Sequence, residues 1–315
     1  MGTTATASTT LAPHAIGAAL ADAIARVVAV PPAVVEPVLC AMVAGGHVLL
    51  EGVPGTGKTL LARTLANLVR AQFRRIQFTN DLMPSDVVGT AVWRPDVGRF
   101  AFTRGPLFAN IVLADEINRT SPRTLSCLLE AMENGFVSVE GRTIELARPF
   151  MVLATRNPIE FHGTFPLPEA ALDRFLVCVE IGYPDSATEV GLYTGADPES
   201  VLATIEPVLH AEDLLLLREQ ARAVQVSAPL AEYVYRVVAA TRAEPRLALG
   251  ASPRAALQWL AAGRARALLQ GRDYTLPDDL KALAVASLAH RLVARDEAVA
   301  ADVLAEVLAG VPVPL

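Results

Sequence analysis

The sequence predicts an α/β fold in which a parallel sheet lies between layers of helices and is followed by a helical domain. Two observations predict the sheet. A glycine-rich loop, Gly52–Thr59, stands between an apolar strand and a helical pattern, and further short apolar runs alternate with helical stretches. The helical domain is predicted because leucine and alanine recur at helical spacing after Pro184. We therefore expect an α/β core at residues 1–184 and a linker with a helical domain at residues 185–315.

The strand candidates are short apolar runs bounded by turn or helix signals, which is typical of buried strands. We predict strands at Val48–Leu50, Arg74–Phe78, Ile111–Ala114, Met151–Ala154 and Val177–Ile181. Two other segments alternate around a turn and predict β-hairpins inserted into the core, at Gly89–Thr103 and Phe136–Leu146.

The helices of the second domain are predicted from their apolar spacing and from their first residues. Pro253 and Pro277 each follow a turn, and proline suits the first position of a helix. The predicted helices are Leu214–Val224, Leu230–Thr241, Pro253–Leu269, Pro277–Leu292 and Glu297–Leu308.

The composition argues against a membrane protein and against a nucleic-acid-binding protein. The chain is 52% hydrophobic, but its best candidate for a membrane span, His14–Val30, carries Asp22 and Arg26 and predicts an amphipathic helix. A net charge of −6 gives no basic surface of the kind that nucleic acid attracts. The three cysteines lack metal or redox spacing, so we expect reduced thiols in a cytoplasmic protein.

The loop Gly52–Thr59 has the spacing Gly-x-x-x-x-Gly-Lys-Thr, which binds nucleoside phosphates. Glycines let successive backbone N–H groups turn toward one anion, and the following helix adds its positive N-terminal end. Lys58 would reach the β- and γ-phosphates, and the Thr59 hydroxyl would bind Mg²⁺. The residues expected to bind ATP are Gly52, Pro54, Gly55, Thr56, Gly57, Lys58, Thr59, Leu60 and Asp115.

Two carboxylates, Asp115 and Glu116, follow the apolar strand Ile111–Ala114. Ligands bind outside the carboxyl ends of such strands, so both carboxylates would meet the phosphates. Asp115 would hold Mg²⁺, directly or through water, and Glu116 would orient and polarise the attacking water. Taken without the phosphate-binding loop, the pair has a second, less favoured interpretation as an acidic helix cap.

Three further polar residues are candidates for the catalytic site. Asn157 follows the strand at Met151 and offers a neutral amide that can bind a γ-phosphate and the attacking water. Arg174 follows a short predicted helix and could reach a neighbouring subunit's phosphate, although a surface pair with Asp173 is the simpler interpretation. Arg254 follows Ser252-Pro253, a pattern that also predicts plain helix capping.

Together these elements, in this order, resemble the AAA+ ATPases. The residues within and around the motifs resemble those of their MoxR family. The resemblance extends from about Val48 to Leu292. It rests on the stretches FTNDLMPSDVVG, GPLFANIVLADEINRTSPRTLSCLLEAMENG, VLATRNPIEFHGTFPLPEAALDRF, GASPRAAL and GRDYTLPDDLKALA.

The resemblance implies a fold, a nucleotide-binding AAA+ core followed by a helical lid domain, and a role for each candidate residue. It implies a Walker A loop at Gly52–Thr59, Walker B carboxylates at Asp115 and Glu116, a sensor-1 residue at Asn157, an arginine finger at Arg174 and a sensor-2 arginine at Arg254. One departure is Arg156, which stands where the family pattern leads us to expect glutamine and would place a cation beside Asn157.

The resemblance also implies a function, an ATP-hydrolysing motor that works as a homo-oligomeric ring, as a hexamer, with ATP and Mg²⁺. Similar proteins act like chaperones on client complexes, with a separate partner that bears a von Willebrand factor A domain. Neither nucleic acid binding nor membrane insertion is expected. The alternatives are a DNA-acting motor, a metal-chelatase-type motor subunit, and a scaffold that binds ATP without turnover.

Overall fold

The structure is a computed structural model that describes residues 12–96, 98–139, 141–157, 164–195 and 197–314. Its strands are β1 (His47–Glu51), β2 (Phe73–Gln77), β3 (Gly89–Arg94), β4 (Arg99–Arg104), β5 (Ile111–Asp115), β6 (Phe136–Val139), β7 (Arg142–Glu145), β8 (Met151–Arg156), β9 (Phe175–Glu180), β10 (Leu247–Leu249) and β11 (Val293–Ala294).

The α-helices of the described residues alternate with the core strands and then dominate the second half of the chain. They are α1 (Pro13–Val27), α2 (Pro32–Ala44), α3 (Lys58–Leu68), α4 (Pro84–Val88), α5 (Pro122–Asn134), α6 (Glu169–Leu172), α7 (Ser186–Thr194), α8 (Pro198–Thr204), α9 (Ala211–Ala223), α10 (Ala228–Ala243), α11 (Pro253–Leu269), α12 (Pro277–Leu288) and α13 (Ala300–Gly310).

The core is a five-stranded sheet in the order β2-β5-β8-β1-β9, and every neighbouring pair of its strands is parallel. All five predicted strands are confirmed, with small shifts at their ends. Because β1 and β8 are central and β5 lies beside β8, the carboxyl ends of these three strands meet at one edge. The glycine-rich loop, the two carboxylates and Asn157 follow these strands, so the topology brings them together.

Both predicted hairpins are also confirmed. Strands β3 and β4 pair antiparallel, as do β6 and β7. Residues 97 and 140, which belong to the predicted turns, lie outside the described residues. Neither hairpin joins the core sheet.

The helical second half agrees with the prediction in outline and differs in detail. Helix α11 has the predicted bounds, whereas the predicted helix Pro277–Leu292 ends at Leu288 and continues as a 3-10 turn, Ala289–Arg291. Helix α13 begins at Ala300 rather than Glu297. The sequence pattern gave no bounds for α2, α4, α5, α7, α8 or the antiparallel pair β10-β11. Several of these elements are short, and α2 is apolar except for Glu36.

Helices cover both faces of the sheet, as the fold class requires. Leu50 and Leu113 point to the layer that contains α1, α2 and α3, while Leu49 and Val112 point to the layer that contains α4 and α5. The first layer also packs against α9 and α11, so the two halves of the chain share a core. A third cluster surrounds Trp259, whose indole N–H donates to the carbonyl of Leu280 at 2.8 Å. Among the described residues, no helix is both long and apolar enough to cross a membrane.

His47, the first residue of β1, forms hydrogen bonds to β8 and α5. Its Nδ1 accepts a hydrogen bond from the backbone N–H of Val152, and its Nε2 donates to the carbonyl of Met132, both at 3.0 Å. Both bonds suit a neutral ring. Burial lowers the pKa of His47 to about 4, well below its ordinary value.

We therefore predict that acid destabilises the protein partly through His47. Below a pH of about 6.5 the His47 ring of the unfolded chain binds a proton, whereas the folded ring stays neutral. The free energy of unfolding therefore falls by about 1.4 kcal/mol per pH unit at this site. The loss begins as the pH falls below about 6.5 and ends near the folded pKa of about 4. Urea unfolding of wild type and His47→Gln across this range checks the prediction. The variant should show a shallower pH dependence, and equal slopes would contradict the assignment.

Candidate functional site

The glycine-rich loop Gly52–Thr59 connects the carboxyl end of β1 to the start of α3, as predicted. Gly52, Gly55 and Gly57 have φ angles of 140°, 85° and 85°. A Cβ on Gly52 would lie 2.2 Å from the carbonyl oxygen of Ile181, so only glycine fits there. Gly57 precedes α3 and no side chain caps that helix. The start of α3 therefore has no side-chain cap that would compete with a bound anion.

Lys58 lies inside the curve of this loop. Its ammonium donates to the carbonyls of Gly52 and Val53, at 2.9 and 2.6 Å, and to the hydroxyl of Thr56 at 3.3 Å. Partial burial lowers the pKa of Lys58, while the carboxylates of Asp115 and Glu116 oppose that shift. The loop thus holds a single cation at its centre and near two carboxylates.

The two predicted carboxylates lie at the carboxyl end of β5. Asp115 is buried and accepts a hydrogen bond from the hydroxyl of Thr155 on β8. The same hydroxyl accepts from the backbone N–H of Glu116 at 2.8 Å. Glu116 has a left-handed φ of 58°, uncommon for a residue other than glycine, and this turn carries its side chain to the sheet edge. Cross-strand contacts, and not only the strand end, therefore position this pair.

Two residues of β2 that the sequence analysis did not select complete the carboxylate network. Arg75 donates from Nε and Nη2 to Oδ2 of Asp115, at 3.0 and 2.6 Å. Gln77 donates from Nε2 to Oε2 of Glu116 at 2.7 Å. Their spacing could have indicated them, since residues two apart on a strand share a face. This spacing points to the carboxylates only once β2 is known to pair with β5.

These residues surround one cavity of about 390 Å³, a size typical of small-molecule sites. Of the predicted ATP-binding and Mg²⁺-binding residues, all except Thr56 line this cavity, and so do Glu116 and Asn157. The Thr56 hydroxyl instead donates to the carbonyl of Val53 at 3.0 Å. The other lining residues are Arg75, Gln77, Thr155, Arg156 and Glu199.

The residues present fit a nucleoside triphosphate with Mg²⁺. The glycine-rich loop, with left-handed φ angles at Gly52, Gly55 and Gly57, and the ammonium of Lys58 suit phosphate oxygens, which accept hydrogen bonds. Asp115 and the Thr59 hydroxyl are oxygen donors of the type that Mg²⁺ takes.

Arg156 contributes less free charge to this cavity than the sequence suggested. Its guanidinium donates to the carboxylate of Glu51, the residue directly opposite it on β1. The cation beside Asn157 is therefore paired within the subunit.

Arg174 and Arg254 do not line the cavity of their own subunit. Both donate to the carboxylate of Glu133 at the end of α5, Arg174 at 2.6 Å and Arg254 at 2.8 Å. The Arg174 hydrogen bond and charge, with Arg254, hold the pKa of Glu133 below its ordinary value. The structure thus brings the two predicted arginines together on one carboxylate, although they lie 80 positions apart in the sequence.

Each arginine has a simpler interpretation, a surface pair with Asp173 for Arg174 and helix capping beside Arg254, and the structure treats the two differently. The surface pair of Asp173 with Arg174 is wrong, because Asp173 contacts Arg291 at 3.3 Å while Arg174 contacts Glu133. Capping at the start of α11 is confirmed, since the Ser252 hydroxyl accepts from the backbone N–H of Ala255 at 3.0 Å. The Ser252 hydroxyl also donates to Asp173 at 3.1 Å. The start of α11 is therefore bound to the short segment between α6 and β9.

Two protein-family models match the chain. Residues 47–177 match the ATPase family associated with various cellular activities (AAA), and residues 239–307 match the AAA lid domain. The first match contains the cavity's loop and carboxylates, and the second contains Arg254.

Curated proteins and a solved structure show the same likeness over most of the chain. The protein YeaC of Bacillus subtilis (strain 168), whose function is uncharacterised, is 46% identical over 88% of both chains. Chaperone MoxR1 of Mycobacterium tuberculosis is 42% identical over 90% of this chain and 77% of its own length. A crystal structure from Cytophaga hutchinsonii, of a provisionally assigned ATPase, superposes with a TM-score of 0.88 over 96% of both chains at 34% identity.

Proposed function

The chain belongs to the MoxR family of AAA+ ATPases, and from that membership we propose that it binds ATP with Mg²⁺ and hydrolyses it. The observation that carries the proposal is the convergence of the Gly52–Thr59 loop with Asp115 and Glu116 around one cavity. A backbone cradle beside two carboxylates suits phosphoryl transfer to water, because it can position the phosphates, a metal ion and the attacking water.

Each residue then has a chemical role. Lys58 and the loop N–H groups bind the β- and γ-phosphates, and Thr59 and Asp115 hold Mg²⁺. When bound, the metal offsets the negative charge of the phosphate oxygens. Glu116 orients and polarises the attacking water, and the side-chain amide of Asn157 donates a hydrogen bond to the γ-phosphate.

We propose that Arg174 and Arg254 act on the nucleotide of a neighbouring subunit in a homo-oligomeric ring, a hexamer. Support comes from their position, since neither lines its own cavity and both bind the exposed Glu133. A bound γ-phosphate on the neighbour would compete with Glu133 for two guanidinium groups. In this proposal Arg254 acts in trans together with Arg174.

The biological role that we propose is chaperone-like remodelling or activation of client protein complexes in the cytoplasm, with a separate von Willebrand factor A-domain partner. Support comes from the relative named Chaperone MoxR1 and from the family resemblance. Free thiols at Cys40, Cys127 and Cys178 suit a reducing compartment. We place the boundary between the nucleotide-binding core and the linker with its lid near residue 184.

A steady-state phosphate-release assay tests the activity. We expect turnover that requires both ATP and Mg²⁺ and that rises as subunits assemble with increasing protein concentration. Added single- or double-stranded DNA should leave the rate unchanged, and stimulation by DNA would favour a DNA-acting motor. Tight ATP binding without phosphate release would contradict the proposal and favour a nucleotide-gated scaffold.

A further inference from the structure

Arg75 lies against the carboxylate that the proposed function assigns to the metal. It stands on β2, at the edge of the sheet, and its side chain is 49% exposed. Two of its N–H groups donate to the same oxygen, Oδ2 of Asp115, at 3.0 and 2.6 Å. The other carboxylate oxygen, Oδ1, accepts from Thr155. Both oxygens of Asp115 are therefore engaged, one of them by a full positive charge.

A divalent cation that approaches Oδ2, directly or through a water molecule, meets this guanidinium. Two cations that share one carboxylate oxygen repel each other, and solvent screens part of this repulsion because Arg75 is half-exposed. Arg75 is half-exposed and long, so it can leave Oδ2 without disturbing the sheet. We propose that Arg75 competes with Mg²⁺ for Asp115, so that binding of the metal–nucleotide complex displaces its guanidinium. This inference rests on the proposed nucleotide and metal site.

The displacement has a second consequence through Gln77. The Nη2 of Arg75 also donates to the side-chain carbonyl of Gln77 at 2.7 Å, and Gln77 donates to Glu116. When the guanidinium leaves Asp115, its Nη2 no longer bridges Asp115 and Gln77, so the side-chain carbonyl of Gln77 loses this donor while its Nε2 still donates to Glu116. Arg75 is thus a positioning residue that connects the metal's carboxylate to the carboxylate that orients water.

The test measures the metal dependence of nucleotide binding, apart from turnover. The full-length protein binds methylanthraniloyl-ADP at a fixed concentration, and Mg²⁺ is titrated while fluorescence is followed. In Arg75→Gln the Mg²⁺ concentration for half-maximal binding should fall by about fivefold, the scale of a partly exposed ion pair. Arg75→Lys keeps the charge and should stay near wild type.

Arg74→Gln is the matched control, because Arg74 is exposed on the same strand, carries the same charge and does not line the cavity. It should leave the Mg²⁺ dependence unchanged. The inference is overturned if Arg75→Gln leaves the half-saturating Mg²⁺ concentration unchanged, raises it, or shifts it no more than Arg74→Gln does. Wild-type protein that fails to bind the nucleotide at any Mg²⁺ concentration would instead contradict the proposed function, and the inference would fall with it.

Discussion

Lys58→Ala is expected to abolish nucleotide binding. Lys58 is the single cation that the loop encloses, and its ammonium already binds the loop carbonyls at 2.9 and 2.6 Å. Alanine removes the point charge and its donors, and leaves phosphate oxygens facing the carboxylates of Asp115 and Glu116. The loss of such charge-assisted hydrogen bonds corresponds to about a hundredfold or more in affinity. Titration of wild type and variant with methylanthraniloyl-ADP and Mg²⁺ measures it.

Lys281→Ala provides the matched control. The chain has two lysines, Lys58 and Lys281, and Lys281 lies exposed on α12 outside the cavity. Its replacement should leave the affinity for nucleotide unchanged. Unchanged affinity in Lys58→Ala would remove the phosphate-binding assignment of the loop.

Glu116→Gln is expected to lower turnover by about a hundredfold or more, the range for loss of acid–base catalysis. The amide oxygen can still accept the hydrogen bond from Gln77, so the network around Asp115 should persist. The variant lacks the negative charge that polarises the attacking water. Binding of ATP with Mg²⁺ should stay close to wild type, which separates this variant from Lys58→Ala. Phosphate release near the wild-type rate would show that Glu116 only caps the strand end and that another group handles the water.

The local part of the site could be predicted from the sequence because one short stretch contains it. The proposed roles of Gly52, Gly57 and Lys58 depend on backbone angles and a fixed spacing, which the order of residues indicates. Asp115 and Asn157 were predicted to lie at the sheet edge beside the loop, and both line the cavity, because strands in a parallel sheet end at one edge.

The remaining parts of the site depend on which elements are neighbours, and one sequence does not give that. Arg75 reaches Asp115 only because β2 pairs with β5, and Arg174 meets Arg254 only because α11 packs near the end of α5. Helix α2 lacked the polar face that marks a surface helix, because it is buried among α1, α9 and α11. Tertiary burial, not local preference, decides these features.

The central claim is that neighbouring subunits share each site, and Arg174 tests it most directly. Arg174→Ala and Arg174→Lys should both bind ATP and hydrolyse it poorly, since lysine lacks the planar fork of the guanidinium. Lys58→Ala subunits cannot bind ATP but still present Arg174, while Arg174→Ala subunits bind ATP but lack the guanidinium.

Phosphate release from a mixture of Lys58→Ala and Arg174→Ala subunits is therefore the decisive measurement. We predict that the mixture regains part of the wild-type activity, at interfaces where an intact phosphate-binding loop meets an intact Arg174. Exchange of subunits is followed in parallel by energy transfer between labelled chains. A mixture that exchanges subunits and still releases no phosphate, or Arg174→Ala protein that hydrolyses ATP at the wild-type rate, would contradict the shared-site ring.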